Sequence, residues 1–136
     1  MEVPYANLNR IYQNYKKELD KAVHDCIDNS WFIKGPKVEE FEKNLSEYCN
    51  APAVGVSSGT SALLLAYECL GLQPGDKIVI PSFTFISTPE MASKLGLEIV
   101  WVDCNKENYT LNTDDLAGIL SSTKGIKAIV GVDIFG

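Results

Sequence analysis

The sequence predicts an α/β fold, with N-terminal helices followed by a βαβαβαβ run of a mostly parallel sheet. From residue 53 onward, short apolar runs rich in β-branched residues recur: AVGVS (53–57), KIVIPS (77–82), EIVWVD (98–103) and IKAIVGVDIF (126–135). They show almost no polar alternation, as strands covered on both faces do. Segments of about three helical turns separate them, and strands alternating with helices imply parallel pairing, right-handed crossovers and helices on both faces. The first fifty residues hold no such runs, only apolar positions at helical spacing. The chain therefore divides into a helical segment, 1–50, and a partial α/β domain, 51–136.

Each element has its own signature. Leu8, Ile11, Tyr12, Tyr15, Leu19, Ala22, Val23, Cys26 and Ile27 form one apolar stripe on a first helix. Asn29–Pro36 breaks it, and a second helix starts at Pro36, because a first-turn proline loses no hydrogen bond. Val38, Phe41, Leu45 and Tyr48 form its apolar face. SALLLAYECLG is the next helix, closed by Gly71, and Pro74-Gly75-Asp76 turns the chain into KIVIPS. ISTPEMASKLG ends at Gly96 as a C-cap, and NTDDLAGILSS opens with Thr113 as N-cap and Asp114 in the acidic first turn.

Composition narrows the function. With 136 residues, 46 % apolar and 22 % charged, the chain is of globular type and about one domain in size. No apolar run approaches the roughly 18 residues of a membrane span, and MEVPYANLNR has no signal core, so a cytoplasmic protein is expected. Cys26, Cys49, Cys69 and Cys104 stand far apart, which points to reduced thiols and away from a metal site or disulfide framework. A net charge of −6 without a basic stripe argues against nucleic acid and for a small-molecule ligand.

The stretch VSSGTSAL, 56–63, lies between an expected strand end and helix start, where a parallel sheet binds its ligands. A helix N-terminus leaves about four amides unpaired and holds anions. Gly59 lets a ligand approach the backbone, and Thr60 and Ser61 add hydroxyls; alternatively, Ser58 or Thr60 simply caps the helix. After KIVIPS, the loop Phe83-Thr84-Phe85-Ile86-Ser87-Thr88 sets two aromatics at a neighbouring strand end. A planar ligand whose phosphate sits on the Gly59 turn could stack there, although core packing accounts better for Phe83. A Rossmann-type nucleotide domain is disfavoured: no GxGxxG follows the first strand, and the second ends at Pro81-Ser82 where an acidic residue would hold a ribose.

GPKVEEFEKNLSEYC, VGVSSGTSALLLAYECLGLQPGDKIVIPSFTFIST, and VWVDCNKENYTLNTDDL followed by TKGIKAIVGVDIFG resemble, in order and spacing, the DegT/DnrJ family of sugar aminotransferases. These are pyridoxal-phosphate enzymes of the fold-type I aspartate aminotransferase superfamily. The resemblance spans nearly the whole chain and implies part of that fold's large domain. It implies that Gly59, Thr60 and Ser61 hold the cofactor phosphate, that Phe85 stacks on the pyridine ring, and that Trp31, Phe32, Ile33 and Gly35 lie near the active site.

Pyridoxal chemistry also needs a Schiff-base lysine and a carboxylate facing the pyridine nitrogen. The resemblance places both beyond Gly136. The expectation is an N-terminal portion of an enzyme that transfers an amino group, from glutamate, to a keto group of a nucleotide-linked sugar, homodimeric when whole and inactive as these residues alone. VDIFG departs from the family's VHxYG-like run, so Asp133 either meets substrate, replaces the histidine's hydrogen bond or caps a strand. Asp103 reads as structural, Lys34 does not match the lysine position, and His24, on a helix's polar edge, reads as solvated or partly packed. A relative that binds the cofactor without transaminating, as a dehydratase or sensor with histidine for lysine, is the alternative.

Overall fold

The computed structural model describes residue 4 and residues 6–135. The reading of MEVPYANLNR as lacking a signal core rests in part on residues 1–3 and 5, which lie outside the described residues. The described residues form two compact units, one ending at Gly55 and one starting at Val56.

The first unit holds helices α1 (Leu8–Asn14), α2 (Lys16–Asp28) and α3 (Pro36–Cys49). The expected single stripe is therefore split: at Tyr15 the backbone leaves helical geometry, with φ −114° and ψ 17°. Long helices are held mainly by packing of their apolar face. Here Leu8, Ile11 and Tyr15 are all exposed and none of α1 is buried, so no packing keeps the two segments continuous. Lys16 donates to the Asp20 carboxylate within α2 and, across the junction, to the Tyr12 hydroxyl, and both bonds raise its pKa. As expected, Pro36 begins α3; it follows Gly35 as N-cap.

Residues 53–57 were expected as a strand and are not one. Their amides go elsewhere: Ala53 donates to Ser46 Oγ at 2.8 Å and Gly55 to Glu42 Oε1 at 2.7 Å, both on α3. With these donors satisfied by helix side chains, and Val54 80 % exposed, no ladder forms among the described residues.

The second unit contains α4 (Gly59–Cys69), β1 (Lys77–Pro81), α5 (Ser87–Lys94), β2 (Glu98–Val102), α6 (Thr113–Ser122) and β3 (Ile126–Ile129). The three strands are parallel in the order β2-β1-β3. The β1-to-β2 and β2-to-β3 connections run in opposite directions across the sheet, so right-handed crossovers set α5 and α6 on opposite faces. Ile78 and Ile80 of β1 pack with Tyr67 of α4, Met91 and Ala92 of α5, and Leu97. Only central β1 is buried along its length beyond Lys77; edge strands β2 and β3 keep Trp101 and Ile129 about half exposed, so two-sided cover does not extend to them. The last strand is also shorter than expected. After Val130 donates to Val79 O at 2.9 Å, β1 soon reaches Pro81, and the chain beyond residue 130 leaves the sheet.

Gly71 and Gly96 end α4 and α5 in the left-handed region, at φ +71° and +70°. At Gly96 the bonds from Gly96 N to Ser93 O and Leu97 N to Ala92 O make a Schellman motif. The cap of α6 is one residue earlier than expected: Asn112 Oδ1 accepts from the amides of Asp114 and Asp115, at 3.0 and 3.1 Å, and Thr113 becomes the first helical residue.

Candidate functional site

Helix α4 packs on the sheet through Leu63, Leu64 and Tyr67 and ends in a short turn that leads straight into β1. That turn lies at the amino end of the strands, where Gly75 N donates to Gly96 O at 2.8 Å. A helix running back along the sheet from there has its N-terminus at the carboxyl ends, where ligands of parallel sheets bind.

At this N-terminus Ser58 is the cap. Its Oγ accepts from Ser61 N at 3.1 Å, and the first helical bond, Ala62 N to Ser58 O, is 3.0 Å. The capping expected as an alternative is thus present, and it uses the Ser61 amide. The amides of Gly59 and Thr60 have no partner among the described residues. The Ser61 hydroxyl lies 3.0 Å from Ser57 Oγ and 3.1 Å from Ser58 Oγ, so three hydroxyls share one cluster. A Cβ on Gly59 would meet nothing within 4 Å, and its backbone is not left-handed. Among the described residues nothing crowds this position, and the space over the Gly59 backbone is open.

Phe85 sits in the loop between β1 and α5 and is 70 % exposed. The loop is pinned by Thr84 Oγ1 against Thr88 Oγ1 at 2.9 Å and by Thr88 N donating to Phe85 O at 3.1 Å. Behind it, Tyr67 of α4 donates its hydroxyl to Thr88 O at 3.2 Å. Burial raises the Tyr67 pKa, so the hydroxyl stays a neutral donor.

Phe83, expected to pack in the core, is instead 41 % exposed and part of a surface cluster. Its ring centroid is 5.3 Å from that of Tyr109 and 6.2 Å from that of Phe135, and Tyr109 meets Phe135 edge-on at 5.7 Å. Each ring follows a different strand. The sequence reading passed over Tyr109 and Phe135; an aromatic in the segment after each of three parallel strands was the signal available.

Asp103 organises the loop after β2, in keeping with a structural role: it accepts from Cys104 N at 2.8 Å through Oδ1, and its amide donates to Asp115 Oδ2 at 2.8 Å. Asp133 is exposed in the irregular segment beyond β3. Lys34, Trp31, Phe32, Ile33 and Gly35 belong to the first unit. There Lys34 lines a cavity of about 340 Å³ with Val38, Glu39, Glu42, Val54 and Gly55. His24 is exposed on α2, its Nδ1 2.6 Å from Asp20 O. No helix among the described residues is long and apolar enough to cross a membrane.

A helix N-terminus with open amides and an exposed aromatic loop, both at the carboxyl ends of parallel strands, is the arrangement at which α/β proteins commonly hold anionic ligands. The family model of the DegT/DnrJ/EryC1/StrS aminotransferase family matches residues 13–136, and the chain belongs to that family. Over 135 residues it is 34 % identical to dTDP-3-amino-3,4,6-trideoxy-alpha-D-glucose transaminase of Streptomyces venezuelae, covering 98 % of this chain and 35 % of the relative. Its fold superposes on S. venezuelae DesV, solved in complex with a ketimine intermediate, with a TM-score of 0.88 at 32 % identity, covering 98 % of this chain and 36 % of that one. It also superposes on E. coli GDP-4-keto-6-deoxy-D-mannose-3-dehydratase with bound hydrated PLP, with a TM-score of 0.78 at 27 % identity, over 85 % and 31 % of the two chains. The sequence thus spans about a third of the length of these relatives.

Proposed function

We propose that the chain is the N-terminal, cofactor-cradling portion of a pyridoxal-phosphate sugar aminotransferase that moves an amino group, from glutamate, to a keto group on a nucleotide-linked sugar. In this reading 1–50 is a helical segment, 51–136 is part of the large domain, and the whole enzyme is a cytoplasmic homodimer. Family membership over residues 13–136 supplies the class. The observation that carries the cofactor assignment is the pair of open amides at Gly59 and Thr60 beside the hydroxyls of Ser57 and Ser61.

Those groups fit a phosphate. Two N–H donors at a positive helix end and the adjacent hydroxyls satisfy several of its oxygens, and the open space over Gly59 lets it reach the backbone. The Ser61 amide stays with the Ser58 cap, so Ser61 contributes through its hydroxyl. Exposed Phe85 offers a ring face to a planar ligand. When bound, the cofactor supplies an electron sink and an amino-group carrier. These residues bind and orient it; the Schiff-base lysine and the pyridine-facing carboxylate are assigned to positions outside 1–136, and Asp133 receives no catalytic role.

The test is titration with pyridoxal 5′-phosphate or inorganic phosphate, followed by amide hydrogen exchange. Protection of the Gly59 and Thr60 amides that Gly59→Val abolishes is the expected result; equal protection in both proteins leaves only the cap. Borohydride reduction and mass spectrometry should give no lysine adduct. The likeness to the dehydratase favours a second reading, a cofactor-binding relative that does not transaminate. The residue at the lysine position of the whole protein decides between them.

A further inference from the structure

Tyr109 is the described non-glycine residue with the largest positive φ, +59°, in the segment joining β2 to α6. That conformation is unfavourable for a tyrosine, and glycine or asparagine would adopt it more readily. Hydrogen bonds keep the turn closed, with Tyr109 N donating to Asn105 O at 2.9 Å and Asn105 N to Thr110 O at 2.8 Å. These involve the backbone alone and give no reason for an aromatic side chain. The ring has a different set of neighbours: it lies against Phe83, from the loop after β1, and Phe135, from the segment after β3. Strained residues persist where the surroundings over-determine them.

Phe83 and Phe85 share one short loop and behave in opposite ways. Phe83 packs into the cluster, while Phe85, two residues on, is in none of its ring pairs and is the more exposed of the two. We propose that Tyr109 is a positioning residue: packed against both Phe83 and Phe135, it anchors Phe83 and thereby holds the β1–α5 loop in the form that presents the Phe85 ring. This rests on the reading of Phe85 as the ring-stacking residue given above.

The experiment compares Tyr109→Phe, Tyr109→Gly and Tyr109→Ala in the full chain, each checked for retained helix content by circular dichroism. Tyr109→Gly removes the ring and relieves the backbone together. If the tyrosine served only its own turn, glycine would match or exceed wild type. The proposal expects instead that Tyr109→Gly and Tyr109→Ala lose the ring-current shifts of Phe83 in NMR, exchange the amides of the Phe83–Ser87 loop about tenfold faster, and bind pyridoxal 5′-phosphate about tenfold more weakly, the scale of two lost aromatic contacts. Tyr109→Phe should equal wild type in all three. Wild-type loop exchange in Tyr109→Gly overturns the proposal, whether or not the cofactor binds. Phe135→Ala removes the ring that packs on both Tyr109 and Phe83 without altering the strained residue and must reproduce the faster exchange; unchanged exchange there also overturns it. Phe85→Ala separates the two readings: cofactor affinity unchanged in that variant removes the stacking role itself, while the NMR and exchange results still decide what Tyr109 does to the loop.

Discussion

Gly35 shows how a single position constrains a loop. It is buried at the start of α3, and a Cβ there would stand 2.7 Å from Trp31 Cβ, a contact that neither residue can relieve by turning a flexible tip. Gly35→Ala should destabilise the first unit by about 1–3 kcal/mol, read as a lower denaturant midpoint, whereas Gly118→Ala, with open space around it, should be neutral or slightly stabilising. Asn112 is the corresponding polar case. Its one oxygen satisfies two amides at the start of α6, and Asn112→Ala should cost about 1 kcal/mol, with Asn112→Asp close to wild type. The sequence marked the helix start here but placed it on Thr113, because both residues are good caps. Which one holds the position depends on where the chain arrives from Asp103, whose carbonyl accepts from Asn112 N at 3.0 Å.

Pairs of elements decide how the site region responds to pH. Tyr67 joins α4 to the first turn of α5 through Thr88 O and is 3 % exposed. Its hydroxyl has a pKa raised above the ordinary 10.0 by burial, so the folded form favours the neutral phenol. The associated stability is complete below pH 10 and is lost as pH rises through the folded value. Denaturant titrations in Tyr67→Phe should cost about 1 kcal/mol at neutral pH for the missing hydrogen bond and lack the alkaline decline that wild type shows. A decline of equal size in both proteins would assign it to other groups. Strand β1 contributes in a different way: Ile78, Val79 and Ile80 are fully buried, and Ile80→Ala should cost about 2–5 kcal/mol. The apolar run KIVIPS made this strand legible from sequence, but EIVWV reads much the same and lies on a partly exposed edge, so the run marks a strand and not its cover.

For the molecule as a whole, the apolar surface left open is the main physical fact. Leu8, Ile11, Tyr15, Leu19, Val23 and Ile27 on α1 and α2 are all more than 40 % exposed, and Trp101 and Ile129 are about half exposed on the edge strands. Apolar faces and open strand edges of this kind associate. The 136 residues purified alone should self-associate in sedimentation and bind a hydrophobic dye, and replacing Ile11, Val23 and Ile27 by Gln should reduce both; a dilute monomer with no dye binding would show that the stripe is covered in solution.

Local patterns determined much of this protein without tertiary information: the three paired strands, the helix-ending glycines at 71 and 96, Pro36 at the start of α3, and the Gly59 turn with its family resemblance all depend on short-range backbone chemistry. Tertiary structure alone decided the rest. AVGVS has strand composition, but a strand exists only where another edge takes its hydrogen bonds, and here Ser46 and Glu42 take two of its amides instead. Likewise, Phe83, Tyr109 and Phe135 are 26 residues or more apart in sequence. They meet because parallel strands deliver their carboxyl ends to one side of the sheet, a juxtaposition that no local pattern encodes.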